Sequence, residues 1–184
     1  MNVDRVAFDD ATETVRLGGE LGTEHVAVNR YRIEPGGGFP GGLHAHADQE
    51  EVFVVVAGAA RFETLEGGVR VEAGEAVRFA PGEYQSGSNA GDGDLVALAL
   101  GAPRDSDDVR VPVTCPDCGD DGLRLDTEGN DPRFSCLDCG SEHTPAPCPD
   151  CGSDDLGFAT DDENDPIVAC EDCGSVFADA PLDG

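Results

Sequence analysis

The eight cysteines constrain this chain most, because all of them lie after residue 114 and fall into two copies of one pattern. Cys115-Pro-Asp-Cys-Gly119 recurs as Cys148-Pro-Asp-Cys-Gly152, and Cys136-Leu-Asp-Cys-Gly140 recurs as Cys170-Glu-Asp-Cys-Gly174. The spacings are C-x2-C-x17-C-x2-C and C-x2-C-x18-C-x2-C, both in the window that reads as a zinc site. Between the cysteine pairs each copy predicts a hairpin. Leu123 to Asp126 and Arg133 to Cys136 flank a turn at Glu128 to Pro132, and Leu156 to Ala159 and Ile167 to Cys170 flank one at Asp161 to Pro166.

Four thiolates hold zinc tetrahedrally at about 2.3 Å, and a glycine after each pair lets the backbone turn tightly. A copy of roughly 30 residues with few large apolar groups cannot fold on core burial alone. Metal binding supplies on the order of 10 kcal/mol. Residues 113 to 178 resemble zinc ribbons. The resemblance implies two structural zinc ions, since a closed four-thiolate site keeps no open position for substrate. The repeat favours Cys115, Cys118, Cys136 and Cys139 on one ion and Cys148, Cys151, Cys170 and Cys173 on the other. A short ribbon made from the middle pairs stays open as an alternative, because only eight residues separate Cys139 from Cys148. His143 reads as an ordinary surface histidine.

Charge limits what the chain can contact. It carries 39 acidic residues against 11 Arg and no Lys, a formal −28 on 19.1 kDa. A small soluble domain usually carries roughly 2 to 8 net charges, so the acidity reads as adaptation to molar salt, where the Debye length shrinks to about 3 Å. A disordered acidic chain is the alternative, and the strand patterns and metal motifs weigh against it. After residue 112 only Arg124 and Arg133 face nineteen acids, which argues against nucleic acid. No run of 18 apolar residues suggests a membrane span, and Met1 to Asp10 lacks the pattern of a signal peptide. The expectation is a cytoplasmic protein whose cysteines are thiols or metal ligands.

Residues 1 to about 100 predict an all-β domain. Strand-forming runs recur at His25 to Ile33, Val52 to Ala57, Val69 to Glu72, Ala76 to Phe79 and Leu95 to Leu100, separated by Gly- and Pro-rich turns. Short strands at this spacing indicate a sandwich or barrel. The polar stretch Gly101 to Pro112 reads as a linker.

Within the barrel, Gly38-Phe-Pro-Gly-Gly-Leu-His44-Ala-His46-Ala-Asp-Gln-Glu50-Glu51, continuing to Gly58, has the form G-x5-H-x-H-x4-E-x6-G. Histidines at i and i+2 on a strand share a face. A carboxylate from the next strand completes two imidazoles and one oxygen, with positions left open for water or substrate. Glu50 and Glu51 face opposite sides, and the gap to Gly58 favours Glu51. His25 reads as structural. Arg30, Arg32 and Arg61 would anchor a carboxylate if they pointed inward, although pairing with surface acids is the simpler reading.

This segment resembles the first motif of the cupin superfamily, closing glycine included. The second motif is matched in frame by Phe79-Ala-Pro81-Gly82-Glu-Tyr-Gln85-Ser-Gly-Ser-Asn89, with Gln85 where the family has a histidine ligand. The resemblance implies a cupin-type β-barrel, that is, a double-stranded β-helix or jelly roll. It also implies one divalent metal (Mn, Fe, Ni or Zn) on His44, His46 and Glu51, with Gln85 either as fourth ligand or as a substrate-facing group. A neutral amide oxygen there tilts the site toward manganese or iron(II).

The expected organisation is a barrel over residues 1–111, a first zinc ribbon over 112–145 and a second over 146–184. Two functional readings follow. The first is a metal-dependent enzyme of dioxygenase, isomerase or hydrolase type acting on a small metabolite, with Glu50 or Glu83 as the available general bases. The second is a non-enzymatic ligand sensor or interaction module that docks a protein partner through its ribbons. The resemblance also admits a homodimer.

Overall fold

The computed structural model describes residues 3–127 and 132–183, so the first expected turn, Glu128 to Pro132, lies outside them except for its last residue. Among the described residues the one helix is the five-residue α1 (Leu17–Leu21), and none is long and apolar enough to cross a membrane. The regular structure is otherwise strand.

The first part of the chain forms β1 (Thr14–Val15), β2 (Ala27–Ile33), β3 (Ala45–His46), β4 (Glu50–Ala57), β5 (Ala59–Thr64), β6 (Gly67–Glu72), β7 (Ala76–Phe79), β8 (Ser86–Asn89) and β9 (Leu95–Ala102). Strands β1-β2-β9-β4-β7 make one antiparallel sheet and β6-β5-β8 another. Period-2 alternation turns Phe53 and Val55 of β4, Leu95 and Ala97 of β9, and Ala60 and Phe62 of β5 into one core between the sheets. The Phe53 and Phe62 rings lie 4.8 Å apart there. Truncating fully buried Phe62 to alanine would cost about 3–5 kcal/mol. The β4–β5 corner turns at Gly58 with φ +76°, and a Cβ there would stand 2.7 Å from the Asp94 carbonyl oxygen. The closing glycine of the histidine motif is therefore a steric requirement.

The second part forms β10 (Val109–Thr114), β11 (Asp121–Asp126), β12 (Arg133–Ser135), β13 (Glu142–Pro145), β14 (Leu156–Thr160), β15 (Pro166–Cys170), β16 (Val176–Phe177) and β17 (Leu182–Asp183). Strands β11 and β12 pair in the first cysteine module, and β14 and β15 in the second. Four backbone knuckles repeat one scheme, in which the glycine after each cysteine pair donates its N–H to the first cysteine's carbonyl at 2.7–2.9 Å. Those glycines, 119, 140, 152 and 174, sit at φ between +74° and +79°.

The stretch expected to be a linker is a loop only over residues 103–108, and both its ends are strand. Strand β10 pairs with β11 on one edge and with β3 on the other, placing Val109 opposite His46. The reason lies in Val109, Val111 and Val113, whose alternation buries Val111 and Val113 in the first module's core with Leu123 and Phe134. The polar residues between them made the segment look like loop. Arg110, for example, is neutralised by Asp108 and donates to the Gly122 carbonyl. The modules also interlock. Phe158 of β14 packs against the first module's core, and β17 returns to pair with β13.

Candidate metal centre

His46 lies on the short β3 and His44 immediately precedes it, and Glu51 reaches them from β4. Their candidate ligand atoms all lie within 4.8 Å of one another. Glu51 turns to the histidines, with Oε1 3.7 Å from His46 Nε2, while Glu50 turns outward to Arg78 at 2.5 Å. Gln85 forms an isolated bridge with His44 through paired backbone bonds of 3.2 and 2.9 Å. Its side chain is 3% exposed and donates to Glu51 Oε2 at 3.0 Å. Rotating that amide by 180° would present its oxygen instead.

Each histidine has its Nδ1 occupied, which frees Nε2. His44 Nδ1 lies 2.9 Å from the Gly42 carbonyl, where it must donate, so Nε2 is the lone-pair nitrogen. His46 Nδ1 lies 3.0 Å from Ser106 Oγ, and that hydroxyl donates in turn to Asp48 Oδ1 at 2.6 Å. Such outer partners fix the tautomer and ring orientation of a metal-binding histidine. Burial pushes the His46 imidazole below its ordinary value despite the attraction of Glu51, which favours the neutral form that can ligate. For Asp48, burial is outweighed by the Ser106 hydroxyl and backbone N–H groups, and its carboxyl sits below the ordinary range.

These residues open onto a cavity of about 420 Å³. The hollow follows from the inward face of β9, which tapers from Leu95 through Ala97 and Ala99 to Gly101. Across the sheet Ala99 lies between Asn29 and Phe53, and Gly101 between Ala27 and Glu51. Ala99 therefore leaves space that a larger residue would fill, while Gly101 makes room for the buried Gln49 side chain, which a Cβ there would meet at 2.7 Å. Tyr31, Asn29 and Arg104 contribute polar groups to the same cavity.

Arg30, Arg32 and Arg61 do not line it. Arg30 is buried against Asp10 and the Thr12 carbonyl, Arg32 pairs with Asp94, and Arg61 pairs with Glu63. His25 is exposed, and Asn89 clamps its loop by donating to the Ile33 and Gly93 carbonyls at 2.8 Å each.

The cysteines gather as two sets of four, Cys115, Cys118, Cys136 and Cys139, and Cys148, Cys151, Cys170 and Cys173. The middle pairs do not combine. Sulfur separations of 3.5 and 3.8 Å in the first set and 3.6 and 3.7 Å in the second are close to the edge of about 3.8 Å that a tetrahedron of 2.3 Å bonds requires. Ser141 hydrogen-bonds Cys115 and holds its thiol down at about 5, and Ser175 does the same for Cys173 at about 6. His143 is not on the surface. It is 6% exposed, with Nε2 3.1 Å from Ser141 Oγ and 4.0 Å from Cys115 Sγ. Alternation along β13 turns it inward.

Residues 29–101 match the family model of the cupin domain. A cupin protein from Bacteroides fragilis superposes with a TM-score of 0.50 at 21% identity, covering 56% of this chain and 86% of that one. The barrel has the cupin fold. A sugar phosphate isomerase of the cupin superfamily from Silicibacter pomeroyi superposes with a TM-score of 0.47 at 21% identity, covering 70% of this chain and 73% of its own. No curated protein matches the sequence. The family match ends before β10, so the cysteine modules lie outside it.

Asp48, Ser106, Asn29, Tyr31 and Arg104 were not singled out from sequence. The taper Leu95-Val-Ala-Leu-Ala-Leu-Gly101 was the one signal that could have pointed to a hollow.

Proposed function

We propose that this protein is a divalent-metal cupin acting on a small oxygenated metabolite, with its barrel over residues 1–111 buttressed by structural zinc ribbons over 112–145 and 146–184. The observation that carries this reading is the convergence of His44, His46 and Glu51 at the floor of an open cavity, each histidine held through Nδ1. Two imidazoles and one carboxylate suit manganese, iron(II), nickel or zinc. An ion held there would polarise a bound oxygen as a Lewis acid. Gln85 steers the Glu51 carboxylate, and the Asp48–Ser106 relay holds the His46 ring. The closed cysteine sets suit structural zinc, and their four knuckles keep no position for substrate.

Elemental analysis of protein purified in high salt tests this against His44→Ala/His46→Ala. The reading expects two zinc per chain in both proteins and one further divalent ion in the wild type alone. Two zinc per chain in both would remove the metal-enzyme reading and leave a ligand-binding or docking module.

A further inference from the structure

Resting on the metal-cupin reading, we infer that Tyr31 and Asn29 form the substrate-orienting wall of the barrel cavity, and that with Arg104 they select a small hydroxylated carboxylate monoanion able to chelate through neighbouring oxygens.

Tyr31 and Asn29 occupy alternate, inward positions of β2 and border the cavity. His44, His46 and Glu51 line the same cavity, with Ala99 of β9 beside Asn29 in the sheet. Neither the Tyr31 hydroxyl nor the Asn29 amide makes a hydrogen bond among the described residues. Both groups are half-buried and open to the cavity, so each is free to bond a ligand that enters it. The Tyr31 ring is held edge-on against Phe39, with centroids 5.3 Å apart, so its hydroxyl is presented by a fixed ring. Burial, and then the charge of Glu51, push its phenol above the usual value, which keeps it a donor at neutral pH. The wall therefore offers uncharged donors toward the position a metal-bound oxygen would take.

Charge narrows the ligand further. Arg104 is the one cationic side chain lining the cavity, and Glu51 and Asp105 are its anions. With a divalent ion in place, one positive charge is left over, which matches a monoanion. The Arg104 guanidinium donates through Nη1 to the Thr23 carbonyl at 2.7 Å and pairs loosely through Nε with exposed Asp105 at 3.8 Å, which leaves Nη2 as the donor for a carboxylate. A tripodal ligand set leaves neighbouring coordination positions open, and these favour two oxygens on adjacent carbons. A cavity of about 420 Å³ admits such a metabolite and excludes a polymer.

The test is calorimetric titration of the manganese-loaded full chain with glycerate, using glycerol as the uncharged control. Manganese affinity is measured separately by electron paramagnetic resonance. Glycerate should bind and glycerol should not. Tyr31→Phe should weaken glycerate about tenfold, the size of one hydrogen bond to a charged group, while holding manganese as tightly as wild type. Arg104→Gln should narrow the preference for glycerate over glycerol. Wild type that holds manganese but ignores glycerate overturns the inference, as does Tyr31→Phe that binds glycerate unchanged. Failure of the wild type to hold manganese instead removes the metal reading beneath it, and the two failures are told apart by the resonance signal.

Discussion

The backbone N–H of Leu43 donates to the carbonyl of Phe158 at 2.9 Å, joining the residue before His44 to β14 of the second cysteine module. Thr160 of the same strand donates to Glu63 of the barrel at 3.2 Å. The loop that carries the first histidine is thus supported by a hairpin beside which four cysteines gather.

Disrupting that hairpin should be felt in the barrel. Cys151→Ser/Cys173→Ser should lose one of two zinc ions and also weaken divalent-metal binding at the His44 site by about threefold to tenfold, the worth of one lost hydrogen bond. Metal titrations of the variant beside the wild type measure this. Equal affinities would mean that the modules only touch.

The relay behind His46 makes a sharper demand. Asp48→Asn or Ser106→Ala should lower barrel metal affinity about tenfold or more, as loss of outer-shell partners does, with the circular dichroism spectrum unchanged. Gln85→Leu should act on the same site by a different route, because it releases the Glu51 carboxylate.

Acid should weaken the metal-free fold in a predictable direction. Native His46 is held below its ordinary 6.5, so just under that pH the unfolded chain binds more protons than the native one. Stability therefore falls as pH falls through the window beneath 6.5. Wild type should lose more stability between about pH 7 and about pH 5.5 than His46→Gln does, measured by urea denaturation. The Asp48 carboxyl is also depressed, but from 3.8, so its contribution is lost only at lower pH.

Salt should act the other way. The formal charge of −28 implies strong self-repulsion in dilute buffer. The melting temperature should climb from about 0.1 M to about 2 M KCl as the Debye length contracts. A melting temperature flat across that range would rule out salt adaptation as the reason for the acidity.

Much of this architecture was readable in advance because single residues impose it. His44 and His46 share a face by strand parity, Gly58 admits no side chain, and repeated cysteine pairs can gather only where the knuckles allow. What escaped was set by distant contacts. Asp48 and Ser106 meet only when the 103–108 loop folds back across β3, and nothing local in either residue signals it. Four cysteines per module already complete a tetrahedral set, so His143 read as a surface residue, yet β13 pairs so that it faces inward. The expected linker proved shorter for a related reason, since local polarity hid a three-valine alternation that became meaningful only once Leu123 and Phe134 were there to cover it.

The two edges of β10 also decide how far the molecule can be divided. A barrel cut free at residue 108 would leave the His46 strand without its neighbour, presenting unpaired backbone N–H and C=O groups to any other chain that could add a strand. Such a fragment would tend to self-associate through the strand that holds its histidines. By covering that edge, β10 denies the backbone beside His46 to a strand from another molecule.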